Sequence, residues 1–344
     1  MRCFAFPLVA LASLVSSTAG FACIGPDTRT MPPTGSTVVD ATGAYPGSFR
    51  TITEAVVHLP NTTEQHTLFL FPGVYHEQVL ISPLNGPLVL QGYTCNTKSY
   101  AANEVTITHS KAQRDLPPEV VNGRNDLTST LRLKTNNVRV YNLNVANTAG
   151  KIENNGQAVA TIIDGNNYGF YACNFTGYQD TVYANKGREL FAKSYIAGAV
   201  DFVFGTLAQA WFESCDIETV GEGYITANGR PDASSSSYYV FNNVRVFGSS
   251  GNGSAYLGRP WRPYSRVVWQ NSELGDVINP EGWHTWDNDN NTANVYYKEF
   301  NNRGPGAATN KRVAFSGQLN GPVHIEEILG GNYTNEWFVD TTYL

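Results

Sequence analysis

Six short segments of this chain can be laid on one another, and that alignment limits its fold more than any other feature. They are Tyr141-Asn-Leu-Asn-Val145, Tyr171-Ala-Cys-Asn-Phe175, Ala192-Lys-Ser-Tyr-Ile196, Glu213-Ser-Cys-Asp-Ile217, Asn242-Asn-Val-Arg-Val246 and Gln270-Asn-Ser-Glu-Leu274. The third residues form one small or apolar column: Leu143, Cys173, Ser194, Cys215, Val244 and Ser272. The fifth residues form an apolar one: Val145, Phe175, Ile196, Ile217, Val246 and Leu274. Successive members are 30, 21, 21, 29 and 28 residues apart. A period of that size, with inward columns on short strands, predicts a parallel β-helix, because a single coil cannot bury its own apolar face and stacked coils share one core. Unequal spacing means loops of unequal length leaving the stack. Long loops along one face would wall a groove suited to an extended polymer.

Local patterns agree. Strand-like runs such as Thr67-Leu-Phe-Leu-Phe71, Leu88-Val-Leu90, Val138-Arg-Val140 and Tyr239-Val-Phe241 are punctuated by Gly and Asn. Only Ile52 to Leu59, introduced by Thr51, reads as a helix. Charged residues are 15% and glycines number 32, which suits a repetitive β-protein better than a helical one.

The same register carries chemistry. Asp180 lies seven residues after Cys173, and Asp201 seven after Ser194, so the two share a position on adjacent coils. Stacking predicts Cα atoms ~5 Å apart. Carboxylates that close repel, and raising the pKa of one relieves the repulsion. The pair then offers a proton donor beside a base or nucleophile. Arg259, in Leu257-Gly-Arg-Pro-Trp261, is the candidate cation to hold one of them ionised. Gln157 and Gln179, in Gly156-Gln-Ala-Val-Ala160 and Gly177-Tyr-Gln-Asp-Thr181, supply neutral amide donors of the kind an oxyanion needs. A ladder of turn-capping acids or a calcium site would also stack aspartates. Each segment alone leaves these readings level; their joint occurrence in register favours catalysis.

These segments resemble the pectin methylesterase family of carbohydrate esterases. The resemblance continues through Phe49-Arg-Thr-Ile-Thr-Glu-Ala-Val56, Gly73-Val-Tyr-His-Glu77, Asp201-Phe-Val-Phe-Gly205, Ile225-Thr-Ala-Asn-Gly-Arg230, Gly282-Trp-His-Thr-Trp286 and Gly304-Pro-Gly-Ala307. It implies an all-β fold, a single-stranded right-handed parallel β-helix, with pectin as the substrate. It implies that Asp201 attacks the C6 carbonyl of a methylated galacturonate and that Asp180 is the general acid, then the base. It further implies that Gln157 and Gln179 hold the oxyanion, Arg259 orients Asp201, and Trp261 lines the sugar subsite. Tyr178, Phe202 and Trp283 are expected either to stack on sugar rings or to pack as ordinary aromatics. The residues leave open a variant in which Asp201 activates water directly. Val203 and Asn228 depart from the commoner Ile and Gln, away from the chemistry. Without the inhibitory pro-region of many plant members, the chain is similar to fungal, other microbial or invertebrate enzymes.

Residues 1–22 read as a signal peptide: Arg2, an apolar stretch from Phe4 to Val15, then Gly20 and Ala22 before the cut. Residues 23–344 are then one secreted, extracellular catalytic domain. Losing Arg2 moves the net charge from −6 to −7. Such a surface disfavours nucleic acid. No later run is long enough to cross a membrane. Four cysteines remain. Cys173 and Cys215 are two coils apart, roughly 9–10 Å, too far for a disulfide. They are expected to be buried thiols, and Cys23 and Cys95 the bridged pair. Asn61, Asn174, Asn252, Asn290 and Asn332 head sequons, with Asn174 the least suited because it falls within a strand.

Other chemistries find less support. The chain has no Gly-x-Ser-x-Gly elbow. Paired His or Cys metal-ligand spacings are absent, so neither metal nor cofactor is expected. A polygalacturonase or lyase would share the fold but would not need Gln157 and Gln179. A non-catalytic binding protein would not need Asp180, Asp201 and Arg259 together. A monomer is expected, since it leaves the groove free.

Overall fold

A computed structural model describes residues 23–287 and 292–344. The expected signal segment and the Asn290 sequon lie outside the described residues. The chain winds as a parallel β-helix in which every strand-to-strand ladder is parallel. Three ladders run the length of the stack. One passes through His66–Leu70, Leu88–Gly92, Val138–Tyr141, Tyr168–Tyr171 and onward to Tyr296–Phe300. A second passes through Gly73–His76, Val105–His109, Asn144–Asn147 and Asn174–Thr176. A third passes through Val79–Ile81, Leu131–Leu133 and Thr161–Asp164.

The repeat columns are interior rows. Phe175 pairs with Val145 and Ile196, Ile196 with Ile217, Ile217 with Val246, and Val246 with Leu274. Both columns are buried along their whole length. A third interior row is aromatic: Phe170, Phe191, Phe212, Phe241 and Trp269 stack face to face, successive centroids 4.6, 4.7, 4.3 and 3.9 Å apart. One apolar side chain per coil, repeated in register, therefore builds a continuous core.

Corners are set by residues with positive φ. Asn142, Ala172, Lys193, Ser214, Asn243 and Asn271 all have φ between 50° and 55°. Each is the second residue of one of the six aligned segments, so the repeat encodes a left-handed bend on every coil. Asn accepts this region more readily than most residues because its short amide bonds locally.

The expected helix forms over Ile52–Val57, with the Thr51 side chain accepting from the Glu54 amide. Cys23 and Cys95 are disulfide-bonded, with Cα atoms 5.0 Å apart. Cys173 and Cys215 are buried free thiols. Near the C terminus Val323, Ile328, Leu329, Phe338, Val339 and Tyr343 pack on the outside of the stack against Tyr141, Tyr171 and Trp211. Among the described residues, no helix is long and apolar enough to cross a membrane, and no group of three or more acidic, His or Cys side chains could hold a metal.

Candidate active site

The second and third ladders meet at a corner that carries the two aspartates. Gln179 is bridged to Val200, and Val182 pairs with Val203. That register sets Asp180 directly across from Asp201 on the next coil, and the Asp180 amide donates to the Val200 carbonyl at 3.0 Å. Both residues are left-handed, with φ of 66° and 51°. Such a conformation costs a non-glycine residue ~1–3 kcal/mol and persists only where the surroundings impose it. Here the stack imposes it on both, and the corner turns both carboxyls into one cleft.

The cleft encloses about 280 Å³ and is lined by Gln113, Asn125, Gln157, Gln179, Asp180, Asp201, Phe204, Ala227, Arg259, Trp261, Trp286 and Asp287. Arg259 meets Asp201 with two bonds, Nε to Oδ1 at 2.9 Å and Nη2 to Oδ2 at 2.7 Å. The Asp201 side chain is only 7% exposed and that of Arg259 12%. Arg259 is itself clasped: its guanidinium carbon lies 4.1 Å from the ring centre of Tyr224 and 4.1 Å from that of Trp286. Among the described residues, no cation is bonded to Asp180. Its Oδ2 accepts from Asn125 Nδ2 at 3.0 Å, a neutral donor.

These surroundings separate the two acids. Burial, then the neighbouring Asp201 charge, pushes Asp180 well above the usual carboxylate range; Asn125 and Arg259 oppose this without cancelling it. Burial also raises Asp201, but the bonds and charge of Arg259 hold it back. Burial therefore offsets part of the effect of Arg259, the cation expected to hold one of the two acids ionised. Of the two acids, Asp180 is the more strongly raised.

Gln157 and Gln179 face the same space. Gln157 Oε1 is buried without a partner. Among the described residues, neither side-chain amide nitrogen is used in a hydrogen bond. An amide left unpaired beside two carboxyls is expensive unless something else fills the cleft.

The aromatic expectations divide. Trp261 is half-buried and lines the cleft. Tyr178 is half-buried against Gly221 and lies outside the cleft lining. Phe202 and Trp283 are corrections: each is 0% exposed, Phe202 in the interior core and Trp283 stacked on Tyr297 at 4.1 Å. A ring enclosed on both faces cannot stack on a sugar.

Sequence reading missed Gln113, Asn125, Trp286 and Asp287. Asn125 sits on the short helix Arg124–Thr128, in a loop held over the cleft. Arg124 fastens that loop through Gln113 O at 2.7 Å and Val120 O at 2.6 Å, and Gln113 N donates to Gln157 O at 2.9 Å. Gln113 Nε2 in turn donates to Asn125 Oδ1, so the amide bonded to Asp180 is oriented from behind. The loop lies outside the repeat, so no column pointed to it. Trp286 ends the Gly282-Trp-His-Thr-Trp segment, where its partner Trp283 drew attention instead. Both loops line the cleft, one through Gln113 and Asn125 and the other through Trp286 and Asp287.

With that geometry described, comparison with known proteins is specific. The pectinesterase family model matches residues 36–341. A pectinesterase from Aspergillus aculeatus is 42% identical over 325 residues, covering 92% of this chain and 94% of the relative. The crystal structure of a pectin methylesterase from Aspergillus niger superposes with a TM-score of 0.83 at 36% identity, covering 92% of this chain and 100% of that one. A pectin methylesterase from carrot superposes at 0.78 with 28% identity, covering 90% and 98%.

Proposed function

This chain belongs to the pectinesterase family of carboxylic ester hydrolases, built on a right-handed parallel β-helix, and we propose that it demethylates pectin through Asp201 and Asp180. The observation that carries the proposal is the asymmetry of two adjacent buried carboxyls: one is clamped by Arg259, whereas the other accepts its side-chain hydrogen bond from the neutral Asn125.

A deprotonated Asp201 oxygen attacks the C6 carbonyl carbon of a methylated galacturonate. Negative charge moves to the carbonyl oxygen, where the free amide groups of Gln157 and Gln179 receive it. Donors that are already in place need no reorganisation as the charge forms. Collapse of the tetrahedral centre breaks the bond to the methoxy oxygen, and protonated Asp180 delivers its proton there, so methanol leaves. An anhydride now joins Asp201 to the sugar. Asp180, now a carboxylate, takes a proton from water as its oxygen attacks C6. The second collapse frees the galacturonic acid and restores the Asp201 carboxylate; the product acid loses its proton to solvent. Elevated Asp180 and restrained Asp201 suit this division, since a general acid works best when it still holds a proton at the working pH.

The polymer lies along the groove lined by the two loops, with Trp261 at the sugar subsite. Residues 1–22 direct secretion, and the Cys23–Cys95 bond fits an oxidising compartment. Asn61, Asn252 and Asn332 are exposed and available for glycans, whereas Asn174 lies in the strand Asn174–Thr176. The working unit is a monomer acting on plant cell-wall pectin.

Methylated polygalacturonate separates this reading from its rivals. Methanol release with unchanged chain length is expected from the wild type, and none from folded Asp201→Ala. Chain shortening without methanol would mean a glycosidase or lyase, and wild-type rates from Asp201→Ala would refute the mechanism.

A further inference from the structure

We infer that Arg312, which lies outside the cleft lining, is a positioning residue for the reaction and acts through Trp286 and Arg259. The inference rests on the proposed role of Arg259 beside Asp201.

Arg312 and its partner Glu299 are deeply buried, their side chains 6% and 2% exposed. Every N–H of the guanidinium has an acceptor. Nε donates to Glu299 Oε1 at 2.7 Å and Nη2 to Glu299 Oε2 at 3.0 Å. Nη2 also donates to Gly306 O at 2.7 Å, while Nη1 reaches Pro280 O at 3.0 Å and Asn279 O at 3.4 Å. One side chain therefore joins three segments: the strand Tyr296–Phe300, the short helix Pro305–Ala307 and the turn at 279–282. Ordinary stability does not call for a buried ion pair, because apolar packing of the same volume serves as well or better. A five-bond planar fork fixes geometry, and lysine could not reproduce it.

The turn it fixes leads directly to the cleft. Gly282, with φ of 74°, packs so closely on Arg312 that an added Cβ would lie 2.4 Å from Cδ. Gly282 O then accepts from Leu257 N at 2.7 Å, and His284 N donates to Gly258 O at 3.0 Å. Trp283 is bridged to Gly258 in parallel. These bonds dock the turn beside the strand Ala255–Gly258, whose next residue is Arg259. Two residues beyond His284, Trp286 covers the Arg259 guanidinium. Arg312 thus holds both the backbone from which Arg259 projects and the ring that covers it. Loosening this clamp lets Arg259 drift from its two-bond geometry on Asp201. Misplacement on the scale of 1 Å can cost on the order of a hundredfold in rate.

The test uses full-length protein and methanol release from methylated polygalacturonate. Arg312→Lys is expected to lower kcat per folded molecule by about ten- to a hundredfold, with KM changing far less. Glu299→Gln loosens the same clamp while keeping its volume, and is expected to lower kcat in the same way if Arg312→Lys fails to fold. In a Trp286→Ala background either substitution should have a smaller further effect than in the wild type, because the route through the ring is already lost and coupled positions are not additive. Unchanged kcat per folded molecule, or full additivity with Trp286→Ala, would overturn the inference. A wild type that releases no methanol would instead refute the function itself, so the two failures are distinguishable.

Discussion

Arg259→Lys isolates the contact on which the division between the two acids depends. The substitution keeps a positive charge but cannot present two parallel donors. Of the bonds at 2.9 and 2.7 Å, at least one is lost. A hydrogen bond to a charged group contributes about 1.5–3 kcal/mol. At 1.36 kcal/mol per pKa unit, that loss raises Asp201 by about 1–2 units. The direction follows because burial already pushes Asp201 up and Arg259 opposes it. On the proposed mechanism Asp201 attacks as a carboxylate, so activity disappears as pH falls through its pKa. The acid limb of the kcat/KM profile should therefore move to higher pH by about 1–2 units. Because Asp180 and Asp201 interact, that limb belongs to the pair. Below both limbs the variant should be about 10- to 100-fold slower from ionisation alone. Any deficit that persists above both limbs measures lost orientation. Methanol release from methylated polygalacturonate across pH provides the assay. A variant that still releases methanol with its acid limb at the wild-type position would refute this account of Arg259.

Three further outcomes are expected. Gln157→Ala should lower kcat by about 10²–10³-fold with the fold intact, because on the proposed mechanism it removes one preorganised oxyanion donor; a change confined to KM would assign Gln157 to ground-state binding instead. Phe202→Ala should cost about 3–5 kcal/mol of stability, whereas Trp261→Ala should leave the melting temperature nearly unchanged and raise KM; the reverse pattern would contradict the core and groove assignments. Glu189 is 0% exposed, neither carboxyl oxygen has a partner, and burial drives its pKa well above the usual range. The native state therefore retains a proton that an unfolded glutamate releases near about pH 4.3, so its contribution to stability is fullest below that pH and declines as pH rises toward the native pKa. Thermal melts of Glu189→Gln should improve relative to wild type as pH is raised through this window, and a gap that stays constant with pH would refute the reading.

Much of the fold was legible because a β-helix writes itself into the chain. Each coil needs one inward residue at the same place, so Leu143 to Ser272 and Val145 to Leu274 formed columns that spacing alone revealed, and the structure buries every member. The same arithmetic paired Asp180 with Asp201 and separated Cys173 from Cys215. It failed for aromatics, because ring type does not say which way a side chain points. Phe202 and Trp283 share chemistry with Trp261, yet the first two face inward.

The sequence by itself determined the period, and through it the core rows and the opposition of the two acids. These are local quantities that repeat along one axis, so counting residues recovers them. Tertiary structure decided what surrounds that pair. Asn125 reaches Asp180 from 55 positions away in the chain, and Arg259 reaches Asp201 from 58. Trp286 and Arg312 enter through turns that belong to no column. Loops obey no period, so their arrival at the corner depends on the packing of the whole stack. Burial arises the same way, and burial sets how high each carboxyl is raised.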